Sequence, residues 1–343
     1  MLLAALLVLT PAQAPQDWET KEKTYLRNIR QLTHDFVRAG EGYFSPDGRT
    51  IIFQAEEKTT GNPFYQIFTM DLATGRIQRV SPGVGKTTCP YFHPAGKKII
   101  YASSHLDQDA KAKYKPEYDA RDEERKQGIR RRYRWDFDPA MDIFEAAPDG
   151  TALKRLTDSP GYDAEGSYSP DGKQIVFCSA RTGKDNLELF IMNADGTGAR
   201  QLTKAPNCYN GGPFFSPDGK RVIFRSDRKA KDQLQLYVIN TDGTGEKALT
   251  DDTAWVQWGP YWHPDNRHII YAAADHATGG RPNYDLYWMD VETGAKERIT
   301  HAPGADVLPV FSPDAKQLMW TSNRDGRQPS QLWIADFITP KKP

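Results

Sequence analysis

Cysteine is scarce: Cys89, Cys178 and Cys208 are the only three in 343 residues. An odd number cannot pair completely, and their spacing matches no metal knuckle, so neither a disulfide framework nor a zinc site organises the chain. Cys178 falls inside an apolar stretch and reads as a small buried hydrophobe. A Cys89–Cys208 bridge is the one pairing left open. Net charge is also missing, since 45 Lys and Arg meet 45 Asp and Glu, and such a balance argues against a general nucleic-acid binder. No apolar run approaches the roughly 20 residues of a membrane-spanning helix. There is no G-x-S-x-G elbow, none of the seven His stands in an H-x-x-x-H pattern, and no nucleophile–base pair is visible. No enzymatic activity, cofactor or metal is therefore expected.

What is present is a repeat. Asp163 to Thr203 reads as a four-stranded unit: a first strand, the turn Ser169-Pro170-Asp171-Gly172, a β-branched second strand (Gln174 to Ser179), a third strand (Leu187 to Met192), and a fourth ending in Leu-Thr. The turn recurs at Ser45-Pro46-Asp47-Gly48, His93-Pro94-Ala95-Gly96, Ser216-Pro217-Asp218-Gly219, His263-Pro264-Asp265-Asn266 and Ser312-Pro313-Asp314-Ala315. Its prolines lie 48, 76, 47, 47 and 49 residues apart. The long interval is one repeat plus an insertion of about 29 residues, which leaves six repeats. His93 and His263 stand where the turn has Ser and read as structural.

The Leu-Thr marker falls at Thr33, Ser81, Thr157, Thr203, Thr250 and Thr300, so its first copy precedes the first turn. The last repeat stops after its third strand. Residues Asn28 to Thr33 would then supply the missing outer strand and close a ring. The expected fold is all-β, a six-bladed β-propeller over residues 28–339 whose last blade is completed by an N-terminal strand. Blade two carries a charged, partly helical insertion at about 105–138.

Three second strands share one ending, Phe177-Cys178-Ser179-Ala180-Arg181, Phe224-Arg225-Ser226-Asp227-Arg228 and Trp320-Thr321-Ser322-Asn323-Arg324. Together with the S-P-D-G turn, the D-G hairpin and Leu-Thr, this pattern resembles the PD40 repeats of TolB-like propellers. The resemblance covers residues 28 to 337 and implies the propeller fold. An apolar leader, the absence of catalytic groups and one large charged insertion on an otherwise regular ring give the expected role, a protein-binding or scaffold module in a bacterial envelope, as an accessory subunit on the periplasmic side of a membrane complex. TolB itself carries an α/β domain ahead of its propeller, and only about a dozen residues separate the leader from the first strand here. TolB's whole role is therefore not carried over.

The leader is Met1 to Thr10, which is apolar, followed by Ala12-Gln13-Ala14, a small-x-small cleavage pattern. It is expected to be a signal peptide of residues 1–14, cleaved after Ala14, with 15–27 as a lead-in and a periplasmic destination. In the insertion, acids gather from Glu117 to Glu124 and bases from Arg125 onward, matching a helix dipole, with Pro116 at the first helical position. Arg130, Arg131, Arg132, Tyr133, Arg134 and Trp135 form its basic-aromatic end and are candidate partner contacts.

Counting back from each turn places further candidates at the mouth of the central channel. Six residues back lie Asp163, Asn210, Gln257 and Asp306; four back lie Glu41 and Glu165. These six would bind a ligand or cation there, giving the alternative reading of a small-ligand or metal-binding, lyase-like propeller. Arg181, Arg228 and Arg324 recur at one repeat position and are expected to pair with a turn Asp of a neighbouring blade.

Overall fold

The computed structural model describes residues 17–129, 137–183, 186–277, 279, 282–324 and 329–340. The expected leader, residues 1–14, and the arm Arg130, Arg131, Arg132, Tyr133, Arg134 and Trp135 lie outside them. Among the described residues, 24 strands form six four-stranded antiparallel sheets. The innermost strands of blades one to six are Arg38–Phe44, Thr87–Phe92, Asp163–Tyr168, Asn210–Phe215, Trp255–Trp262 and Asp306–Phe311. Second strands such as Gln174–Ser179 and Arg221–Ser226 are buried from their second residue on. That is why they run apolar without alternating: a blade packs against a neighbour on each face.

The turn chemistry repeats as closely as the sequence. Ser45 Oγ donates to Asp47 at 2.6 Å and accepts from the Thr50 N–H at 3.0 Å. The Ser169–Asp171, Ser216–Asp218 and Ser312–Asp314 turns are built alike. In blades two and five the ring Nδ1 of His93 and His263 takes over, accepting from the N–H two residues on. The last turn position is left-handed, with φ near +70° at Gly48, Gly172 and Gly219; Ala315 holds the same conformation at φ 58°.

The Leu-Thr marker has an equally local cause. In every blade its hydroxyl accepts a 2.9 Å hydrogen bond from a backbone N–H at the start of the third strand. The pairs are Ile67–Ser81, Ile143–Thr157, Leu189–Thr203, Leu236–Thr250, Leu286–Thr300 and Leu332–Thr33. The last pair joins residues 299 apart. It accompanies the closing strand, Leu26–Gln31, which pairs antiparallel with Gln331–Phe337. The strand lies two residues earlier than its sequence reading.

The lead-in is also tied down. A short helix α1 (Asp17–Glu22) brings Glu22 to full burial. Its Oε1 accepts from Arg324 Nη2 at 2.6 Å and from the N–H groups of His301 and Ala302. In the insertion, helix α2 (Tyr114–Lys126) buries no residue, since few of its positions are apolar. Pro116 is its third residue, after a 3₁₀ turn at Ala110–Lys113. Polar contacts moor it: Arg121 Nη1 reaches Glu56 at 2.6 Å and its Nη2 donates to the Pro63 carbonyl at 2.6 Å. The three cysteines are free, so no Cys89–Cys208 bridge forms.

Candidate functional site

Each innermost strand carries a β-bulge, between Gly40 and Tyr43, Thr88 and Tyr91, Ala164 and Ser167, Gly211 and Phe214, Trp258 and Tyr261, and Val307 and Val310. One residue of each bulge is left-handed: Glu41 (φ 48°), Cys89 (51°), Glu165 (58°), Gly212 (58°), Gly259 (57°) and Leu308 (52°). All six line one cavity of about 520 Å³ at the centre of the ring. A non-glycine residue pays roughly 1 kcal/mol for this conformation. Four blades carry a side chain there nonetheless, and each points its residue at the cavity.

Two residues further along sit Tyr43, Tyr91, Phe214 and Tyr261, whose rings meet across the axis. Centroids are 5.2 Å apart for Tyr43–Tyr91, 5.6 Å for Tyr43–Phe214 and 5.1 Å for Phe214–Tyr261. The hydroxyls of Tyr91 and Tyr261 are 3.3 Å apart. Rings at these spacings fill the axis and give the cavity a floor. Its open end is edged by Arg38, Lys86, Phe137, Ser330 and Glu117 of α2. The described part of the insertion thus stands at the rim of the channel.

Glu165 is the best-held group in the wall. Its carboxylate accepts from Tyr209 OH at 2.8 Å, from Tyr162 OH at 3.3 Å and from the Gly212 N–H at 2.5 Å. Arg225 Nη2 lies 3.1 Å away. The guanidinium also donates to Tyr209 OH at 2.7 Å and lies over the Tyr209 and Trp258 rings. Gly212 makes this possible, because a Cβ there would fall on Arg225 Nη1. Glu41, in contrast, forms no ion pair among the described residues. Its carboxylate accepts a long hydrogen bond from Tyr43 OH, 3.4 Å. Burial pushes its carboxyl up to about 7, with the Glu165 charge adding to this; the Cys89 thiol, Arg225 and Tyr43 pull the other way. The Cys89 thiol is itself pushed well up by burial, with Glu41 and Glu165 reinforcing the shift. That disfavours the thiolate a nucleophile would need.

Of the six residues expected at the mouth, Glu41 and Glu165 line the cavity; Asp163, Asn210, Gln257 and Asp306 do not. The bulge lies between the two sets and inserts one residue, so a step of two along the strand does not return to the same side. Asp163 instead accepts from Ser179 Oγ and pairs with Arg181 at 3.0 Å. Asp306 does the same with Ser322 and Arg324, and Asn210 accepts from Arg228 at 2.6 Å. Gln257 is buried, its N–H bonded to the Leu234 carbonyl. The recurring Arg therefore pairs with the head of the innermost strand in its own blade. The expected partner, a turn Asp of the next blade, is instead held by its own Ser. Arg225, Tyr43, Trp258 and Tyr261 were missed as wall residues. A signal for Arg225 existed: a lone charge inside the apolar stretch Arg221–Ser226. Among the described residues no three His, Cys, Asp or Glu are grouped to hold a metal ion, and no helix is long and apolar enough to cross a membrane.

No protein-family model matches the chain. A TolB homologue of Chlorobium luteolum is 29% identical over 171 residues, which are 50% of this chain and 30% of the relative. The chain thus matches less than a third of that protein's length. Among solved structures, one described as TolB from Agrobacterium tumefaciens superposes with a TM-score of 0.60 at 17% identity, covering 88% of this chain and 91% of its own. An oligogalacturonate lyase from Vibrio parahaemolyticus gives 0.56 at 14% identity, covering 90% and 93%. Likeness at that identity speaks for the fold alone, and propellers host unrelated chemistry. Repeats and architecture together make this chain a six-bladed β-propeller, similar in sequence to a TolB homologue and in fold to solved TolB structures.

Proposed function

We propose that this chain is an exported, periplasmic binding propeller, and that a segment of a partner protein in the envelope enters its channel mouth. One observation carries the reading. A cavity of about 520 Å³ is floored by aromatic rings, walled by charged groups on left-handed bulges, and edged by the one insertion in an otherwise regular ring. A blind, partly apolar recess with a few convergent polar groups is the usual form of a binding site. The TolB-like repeats and the apolar leader support the envelope setting. A nucleophilic enzyme at the same site is disfavoured by the Cys89 environment.

The described helix of the insertion and the basic-aromatic arm that follows it in sequence belong to the same proposal, as contacts at the rim. The test is gentle isolation from native membranes followed by native mass spectrometry. Co-isolation of a defined partner, lost when residues 107–134 are deleted from a propeller that still melts cooperatively, is expected. A partner retained by that deletion would remove the rim from the account.

A further inference from the structure

The charges around the cavity are paired off, with one exception. Arg38 holds Glu56 at 2.8 Å, Arg225 holds Glu165 at 3.1 Å, and Arg121 holds Glu117 at 2.7 Å. Lys86 stands 4.0 Å from Asp138. Glu41 is the wall carboxylate that forms no ion pair among the described residues, the nearby Arg225 being held by Glu165. Glu41 shares the cavity lining with Tyr43, Tyr162 and Tyr261, while the Tyr65 and Trp258 rings already carry the Arg38 and Arg225 guanidinium groups. A carboxylate among electron-rich ring faces, out of bulk water, is the setting that attracts an alkylammonium. An anionic ligand would meet two carboxylates, and the cations nearby are already engaged.

We propose that the channel mouth binds a primary ammonium group, seated on the Glu41 carboxylate among the aromatic side chains of that wall. This rests on reading the mouth as the binding site. The chemistry is that of a lysine side chain or chain terminus of a partner segment, or of a free aliphatic diamine. The groups facing Glu41 are Cys89 from blade two, Tyr43 from its own blade, Glu165 from blade three and Arg225 from blade four. Burial leaves Glu41 partly protonated at neutral pH. An arriving cation favours the ionised form, so binding near neutral pH releases protons.

The experiment is calorimetric titration of the full chain at pH 7, in two buffers of different ionisation enthalpy. One probe is 1,5-diaminopentane; the other is N-acetyl-Gly-Lys-Gly-amide; each is matched by its N-acetylated form. Saturable binding with proton release, weakened at least about tenfold by Glu41→Gln and absent for the acetylated probes, is expected. Tighter binding of the diamine assigns the site to a free amine, and tighter binding of the peptide assigns it to a protein lysine. Failure of both amines to bind, or equal binding by Glu41→Gln, overturns the proposal. If that variant fails to fold, the acetylated probes decide on the wild-type chain: binding as tight as the free amines overturns it. A partner that still occupies the mouth while no amine binds refutes the ammonium and leaves the mouth reading standing.

Discussion

Glu41 and Glu165 occupy the same left-handed bulge position two blades apart, yet only Glu165 has a guanidinium against it, Arg225 Nη2 at 3.1 Å. One carboxylate is built into the wall and the other is held in readiness. The properties expected of the cavity follow from that difference.

The Glu165–Arg225 pair is buried on both sides, so removing one partner strands the other. Glu165→Leu or Arg225→Leu alone is expected to cost roughly 3–5 kcal/mol, and the double variant much less than the sum. Urea denaturation of the four species closes the cycle. Gly212→Ala, which intrudes on Arg225, is expected to behave like loss of Arg225. Additive single costs would mean the pair is not a unit.

Glu41 has the opposite sign of effect. Burial pushes its folded carboxyl up to about 7, above the 4.5 of an exposed glutamate. The unfolded chain therefore binds fewer protons between those values, and stability falls as pH rises from about 4.5 to 7. The contribution is roughly 1–3 kcal/mol, allowing for water in the cavity. Burial raises Asp142 and Asp285 as well, to about 6 and about 7, so the informative curve is the difference between wild type and Glu41→Gln. That difference should open across this window, with the variant relatively more stable at pH 8. A flat difference curve would contradict it.

Ring closure hangs on the strand Leu26–Gln31 and on Thr33. Thr33→Val leaves the Leu332 N–H and the Gln331 side chain without their partner and is expected to cost roughly 1–3 kcal/mol. Deleting residues 17–33 would also bare the edge of Gln331–Phe337, an open template for pairing between chains. Size-exclusion chromatography should then show association or aggregation. A monomeric, cooperatively melting deletion would contradict the closure.

Ala315 holds φ 58° in a turn position that four other blades fill with Gly. Ala315→Gly relieves a left-handed residue and is expected to stabilise by about 0.5–1 kcal/mol, net of the entropy added to the unfolded chain. Thermal unfolding checks it; a loss of stability would mean the position is not strained.

How much of this was legible depends on what each residue answers to. The blades were readable because one unit recurs and each marker has a local job: Ser and Asp close the turn, and Thr receives an N–H from the third strand. Closure followed from a Leu-Thr that came before the first turn. The site was half legible. Counting by offsets found Glu41 and Glu165, but the same counting chose Asp163 and Asp306, because a bulge is invisible to a count of positions. The aromatic floor was readable in principle, since Tyr43, Tyr91, Phe214 and Tyr261 stand two residues before their turns. The burial of Glu22 against Arg324 was not, as it joins a charged lead-in to a residue 302 positions away.

The most direct test of the central claim places a photoreactive benzoylphenylalanine at Ser330, on the rim of the cavity, or at Asp195, on an exposed hairpin, in living cells. Illumination is expected to give a covalent adduct with one envelope protein from position 330 and none from 195. An adduct from position 195 alone, with position 330 silent while the partner still co-isolates, would contradict binding at the channel mouth.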